Sequence, residues 1–284
     1  MTDNNQKVAV VTGASSGIGL VVARELARQG WRVIGLGRNP DRAERAMASI
    51  RADVPGANIE MVLGDLSVMA EAVRLARDVA GLTTHIDLLV NNAGGTPANR
   101  QTTADGFEHT FAANHLGPFL FTRELLPLLR KAAPGSQIIN VSSVAHRFVK
   151  DMIWDDLQLE RNFDAGKAYS QSKLANILFT RALAVRLGDE GIKVNAVHPG
   201  LVQSNFDSHG NRVVKLLYWF SRPFSLTPEQ GADTILWLAT HPDPGTGGYF
   251  AKRKQASMTP AAESDEGAER LWTISEQLLA EVGV

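Results

Sequence analysis

The sequence predicts an α/β protein with a single doubly wound parallel sheet of about seven strands and helices on both faces. Two observations lead there. Short β-branched runs alternate with stretches of helical spacing along the chain, the pattern of a parallel sheet covered on both sides, and right-handed crossovers then make the doubly wound topology the natural one. No internal repeat, low-complexity tract or linker interrupts the alternation, so residues 1–284 are read as one domain.

The elements follow in order. Strands are predicted at 7–12, 32–36, 58–63, 86–90, 137–141, 193–197 and 247–251. Gly13 ends the first, and 17–30 follows with Ile18, Val21, Val22 and Leu26 at helical spacing. A helix at 41–52 has Pro40 near its start, where a missing N–H is tolerated. Further helices are predicted at 68–80, about 104–131, 168–187, 228–240 and 269–281, with a loop-rich stretch at 199–226. Within the fifth strand-to-helix connection, 144–164, Trp154, Asp155 and Asp156 are expected to border a pocket.

Composition narrows the function classes. With 44% apolar and 21% charged residues the chain can bury a sizeable core, and a net charge of −1 gives no reason to expect a nucleic-acid partner. The absence of cysteine excludes disulfides, thiolate catalysis and Cys-ligated metal. The seven histidines are scattered without ligand spacing, so no metal site is expected. The start is polar and no run approaches the roughly eighteen apolar residues of a membrane span, so a cytoplasmic protein is expected.

In such a sheet ligands bind beyond the carboxyl ends of the strands, and the informative residues stand there. After the first strand comes Thr12-Gly13-Ala14-Ser15-Ser16-Gly17-Ile18-Gly19, a glycine-rich turn opening a helix, suited to a pyrophosphate. After the second strand, where an acidic residue would hold a ribose 2′-hydroxyl, stands Arg38, which can pair with a 2′-phosphate and points to NADP(H). Asp65 and Leu66 follow the third strand and could position the adenine. Asn91, Asn92, Ala93, Gly94 and Gly95 follow the fourth, where a sugar or ring could lie close.

The chemical residues lie further on. Tyr169 and Lys173, four apart, share a helix face, and a nearby ammonium lowers a phenol's pKa toward use in proton transfer. Ser142 and Ser143 end the fifth strand with hydroxyls that could hold a substrate oxygen. Asn114 precedes Gly117 and Pro118 inside the long helix. Proline cannot donate to the carbonyl of residue 114, so a kink is expected there, for a water or for packing. His146 and His198 are read as hydrogen-bonded structural residues, and adjacent Asp155 and Asp156 as unsuited to paired-carboxylate chemistry.

TGASSGIG at 12–19, NNAG at 91–94, Asn114, VSS at 141–143, YSQSK at 169–173 and HPG at 198–200 together resemble the short-chain dehydrogenase/reductase family, with its Rossmann-type fold. The resemblance runs from about residue 7 to 251. It implies that Ser143 orients a carbonyl, Tyr169 is the general acid/base, Lys173 holds the ribose and tunes Tyr169, and Asn114 completes a tetrad through a water. It also implies nicotinamide contacts from Pro199, Gly200, Val202 and Ser204, the last standing where many members carry threonine. VSSVAH at 141–146, DDLQ at 155–158, SKLANILFT at 172–180, TPEQGA at 227–232 and LWTISEQL at 271–278 look like the retinol dehydrogenase-like branch. That branch implies NADP(H) and lipophilic carbonyl or alcohol substrates, and the family implies a homo-oligomer, dimer or tetramer, paired through its long helices.

The apolar stretch within 201–226, with Trp219 and Phe220, is read as a substrate lid, a peripheral membrane contact or a subunit interface. Two other functions stay open: a catalytically silent NADP(H)-binding regulator, and a sugar-nucleotide epimerase or dehydratase, which also uses a Tyr–Lys pair.

Overall fold

The computed structural model describes residues 6–201, 226–241 and 243–284. One sheet runs through it. Its strands are β1 (Val8–Thr12), β2 (Arg32–Gly37), β3 (Ile59–Leu63), β4 (Leu88–Asn91), β5 (Gln137–Val141), β6 (Lys193–Val197), β7 (Tyr249–Ala251) and β8 (Lys254–Gln255). They lie in the order β3-β2-β1-β4-β5-β6-β7-β8, all neighbours parallel except β7 and β8. The eighth strand is a short return that sequence pattern does not announce. Its turn uses Lys252 and Arg253 at φ of 51° and 59°, where a hairpin of this type usually shows Asn-Gly. Arg253 is held there by its N–H on Thr234 Oγ1 and its guanidinium on Asp233.

The helices form where capping and periodicity agree. α1 (Gly17–Arg28) buries Val21, Val22 and Leu26, and α2 (Pro40–Asp53) is capped by Asn39, whose side chain accepts from Arg42 N. α3 (Met69–Leu82) buries Leu75 and Val79. The stretch predicted as one helix at 104–131 begins later and is interrupted. Residues 103–107 form a tight turn around Gly106, then Glu108 caps a single turn, α4 (His109–Phe111). A π-helical turn, Ala112–Leu116, precedes α5 (Gly117–Ala132). The widening lies directly before Pro118, whose missing N–H breaks the α ladder, so the expected irregularity is a π turn.

Beyond β5, α6 (Ala165–Leu187), capped by Asp164, starts three residues before the predicted boundary, and α7 (Pro228–Thr240) starts with a Thr227–Gln230 capping box. The C-terminal pair is α8 (Pro260–Glu263) and α9 (Asp265–Glu281), the latter capped by Ser264. Two apolar cores flank the sheet, one with α3, α5, α6 and α9, the other with α1, α2 and α7. Each fully buried Leu or Phe there contributes about 1.5–3 kcal/mol. α6 is buried almost all round because α9 packs along its outer side. No helix of the described residues is long and apolar enough to cross a membrane.

Candidate active site

The strand order reverses at β1, which pairs with β2 on one side and β4 on the other. Two loops therefore meet at the carboxyl ends of β1 and β4, and Thr12 joins them. Its Oγ1 accepts from Asn92 N and Ala93 N, both at 2.9 Å, while Asn92 Nδ2 donates to Thr12 O at 2.8 Å. Gly13 (φ +69°) and Gly17 (φ +54°) hold the turn in the left-handed region that favours glycine. A Cβ on Gly19 would run into the Gly13 carbonyl, whereas one on Gly17 would meet nothing within 4 Å. The N-cap of α1, Ser16, makes no side-chain capping bond, so the first-turn N–H groups are not capped by it. Ser15, Ser16, Gly17 and Ile18 are half-buried along this edge.

The crevice continues past β2. Gly37 lies against Ser15, and Arg38, 61% exposed, sets its guanidinium 3.3 Å from an Asp65 carboxylate oxygen. Burial works against that carboxylate, but the Ser67 hydrogen bonds and the Arg38 charge outweigh it and hold Asp65 below its ordinary pKa. Leu66 is buried, and its carbonyl fits against Gly117, where a Cβ would collide with it. In the other direction the loop after β4 reaches the chemical residues. Gly94 lies beside the Asn114 side chain, and a Cβ there would sit 3.6 Å from Lys173 Nζ.

Those chemical residues converge from three elements. Asn114, on the π turn, accepts from Gly95 N at 2.8 Å and donates to Ser172 Oγ at 2.9 Å; Ser172 in turn donates to the Tyr169 carbonyl at 2.8 Å. Lys173 is buried on α6, donates to the Val141 carbonyl at 3.1 Å and lies 5.4 Å from the centre of the Tyr169 ring. Ser143, at the end of β5, hydrogen-bonds the Tyr169 phenol. Burial lowers the Lys173 pKa to about 8. Burial also raises the Tyr169 pKa, with the Ser143 bond pulling the other way. Desolvation is thus the larger influence on the phenol.

Behind Ser143 stand two histidines. His146 is buried, with Nδ1 2.7 Å from the Ser143 carbonyl and its ring edge-on to Tyr249 at 5.1 Å. His198 Nδ1 accepts from Val144 N and Gly200 N, tying the β5 loop to the Pro199-Gly200 turn after β6. Burial, followed by the charges of His146 and Lys252, lowers the His198 pKa to about 4. Gly200 (φ +91°) lies against Leu226, and Leu226 N donates to Leu201 O at 2.6 Å. Val202, Ser204 and the rest of the apolar stretch between Leu201 and Leu226, read from sequence as a lid, a membrane contact or an interface, lie outside the described residues.

Next to the start of α6 an open cleft of about 590 Å³ is lined by Phe148, Val149, Lys150, Asp151 and Ile153 with the first turn of that helix. Trp154 turns instead onto Arg270 of α9, and Asp155 and Asp156 both pair with Arg161. Three further side chains support the site from behind, and of these Asn176 alone was not singled out by the sequence. Ser142 donates to the Lys173 carbonyl, Asn176 donates to the Val141 carbonyl, and Asn91 donates to Asn140 and Thr122 beneath the loops. The available signal for Asn176 was a polar residue inside the apolar run of a helix.

Known proteins share this fold. The family model described as short chain dehydrogenase matches residues 7–212. Retinol dehydrogenase 12 of Homo sapiens is 42% identical over 275 residues, covering 96% of this chain and 86% of the relative. Among solved structures, an uncharacterised protein from Mycobacterium paratuberculosis superposes with a TM-score of 0.77 at 31% identity, covering 97% of this chain and 94% of that one. The NADP active-site complex of RhlG from Pseudomonas aeruginosa gives 0.69 at 29% identity, covering 86% and 93%. The chain belongs to the short-chain dehydrogenase family, a family of nicotinamide-dependent oxidoreductases. Within it, the chain stands in the retinol dehydrogenase-like branch.

Proposed function

We propose that this protein interconverts a lipophilic aldehyde or ketone and its alcohol with NADP(H), within one catalytic domain spanning 1–284, and with Tyr169 as general acid/base. The observation that carries the reading is the Ser143–Tyr169 hydrogen bond, formed beside a buried Lys173 and facing the glycine-lined crevice. The crevice suits the cofactor. Open space at Gly17 beside the first turn of α1 favours a pyrophosphate, and Arg38 follows β2 where a carboxylate would repel a 2′-phosphate. Asp65, Leu66, Asn92, Ala93 and Gly94 would line the dinucleotide between these ends, and Pro199, Gly200, Val202 and Ser204 its nicotinamide end.

The nicotinamide, when bound, gives or takes the hydride. The chain's own part is the proton. In reduction the Tyr169 hydroxyl donates its proton to the carbonyl oxygen, which the Ser143 hydroxyl also holds. Burial keeps the phenol protonated and ready as the acid. The same burial makes an isolated Lys173 ammonium costly, so the phenolate left after transfer is stabilised by it, and each charge relieves the other. Asn114 binds the loop after β4 to α6 through Gly95 and Ser172, keeping the cofactor loop and the proton donor in register.

Similarity to the retinol dehydrogenases supports an apolar substrate. A homo-oligomer belongs to the same proposal, but α9 already covers the outer side of α6, with Trp272 4.7 Å from Phe119 and over Arg186. Subunits would meet through what α9 leaves, such as the exposed Val185. The test is NADPH oxidation against a panel of aldehydes and ketones of increasing chain length. Turnover of at least one apolar carbonyl is expected; NADPH binding without turnover of any would favour a regulator instead.

A further inference from the structure

Asn114 and His115 are neighbours on the π turn, and their side chains serve different parts of the molecule. Asn114 is bonded to Gly95 and Ser172, whereas His115 is enclosed by Phe111, Phe119 and Phe179, ring centres 5.1, 6.0 and 6.0 Å away. Its Nε2 lies 2.8 Å from Ser275 Oγ on α9. Ser275 already donates its hydroxyl proton to the Leu271 carbonyl, so toward His115 it accepts. The proton is therefore on Nε2, and Nδ1 is buried without a partner. Burial keeps the ring neutral, its pKa lowered to about 3.

An apolar ring would fill this aromatic cage without leaving an orphaned nitrogen, and an unmet buried acceptor is destabilising. What the imidazole adds is a single directional bond to α9. That bond falls at a π turn, followed by a proline that cannot donate to the ladder. We infer that His115 and Ser275 are positioning residues for Asn114, so that the C-terminal helix sets the register between the cofactor loop and the catalytic helix. α9 lies wholly beyond the residues matched by the family model. The inference rests on the proposed function, since it assigns Asn114 its role in that reaction.

The test compares wild type, Ser275→Ala, His115→Phe, His115→Gln and Leu279→Ala. Leu279 is fully buried on the same helix and stands as the control for packing alone. A misplaced reacting group can cost up to about 100-fold, so a partial shift is expected to lower kcat about tenfold in Ser275→Ala and His115→Phe. NADPH affinity and substrate KM should stay within about twofold, because no binding group is removed. His115→Gln, which keeps an N–H at that reach, should recover most of the rate. A variant combining His115→Phe with Ser275→Ala should be no slower than His115→Phe alone. Without cofactor, hydrogen exchange at the Gly95 amide should quicken at least about fivefold in Ser275→Ala, and stay unchanged in Leu279→Ala. Wild-type kcat and Gly95 exchange in Ser275→Ala, or equal losses in Leu279→Ala, would overturn the inference. A wild type without turnover on any carbonyl would instead remove the proposed function, and this inference with it.

Discussion

The two ends of the crevice are built differently. At the nucleotide end the surface is backbone and glycine: Gly13 and Gly17 at positive φ, Gly19 packed on the Gly13 carbonyl, and a largely exposed Arg38 paired with a half-buried Asp65. At the chemical end the parts are side chains, Lys173 and Asn114 buried and Ser143 and Tyr169 half-buried, each held by a bond from another element: Lys173 on Val141, Asn114 on Gly95 and Ser172, Ser143 on Tyr169. Ionisation there is set by burial, with Lys173 and His198 lowered and Tyr169 raised. The difference teaches that binding a large polyanion needs shape and open N–H groups, whereas moving one proton needs fixed, dry groups.

If the ends are separable, Tyr169→Phe should lower kcat by about 10²–10⁴-fold, with NADPH affinity measured by fluorescence almost unchanged. The ring would still pack, and only the proton would be missing. A variant keeping more than about a tenth of wild-type turnover would break the division at its strongest point.

The reciprocal change is Arg38→Ala. A charge-assisted bond to a 2′-phosphate is worth roughly 1.5–3 kcal/mol, or about 10- to 150-fold in NADPH affinity. NADH should bind as well or better, since Asp65 would be released to accept from a ribose hydroxyl. At saturating cofactor kcat should hold. Equal kcat/KM of the wild type for NADPH and NADH would remove Arg38 from this role.

Acid should expose the dry end first. His115 and His198 stay neutral in the folded chain down to about 3 and about 4, against an ordinary value of 6.5. Between about 4 and 6.5 the unfolded chain binds more protons, so stability falls as pH is lowered through that window. Each histidine adds a slope of about 1.4 kcal/mol per pH unit. Denaturant melts at pH 6.5, 5.5 and 4.5 should show that slope reduced by one such share in His115→Phe. An unchanged slope would mean that this ring titrates normally.

The smallest effect concerns the substrate. Each buried methylene adds up to about 0.8 kcal/mol, close to fourfold, so kcat/KM should climb along straight-chain aldehydes. Phe148, 79% exposed on the cleft, should account for part of that climb, and Phe148→Ala should flatten it without altering NADPH affinity. A flat profile in the wild type would point to a polar substrate.

Local chemistry made much of this legible. The element order, the strand-ending loops and the Tyr169–Lys173 face follow from periodicity and from glycines at fixed offsets. Such signals act over a few residues, so any window of sequence contains them. The tertiary structure alone decided the rest: the hairpin at Lys252 and Arg253, α9 laid over α6, and the bonds joining Asn91 to Asn140 and Thr12 to Ala93. His115 and Ser275 stand 160 positions apart, each an ordinary helical residue by itself. Their meaning comes from which buried face each is given, and that is settled only when the whole sheet and its helices close around them.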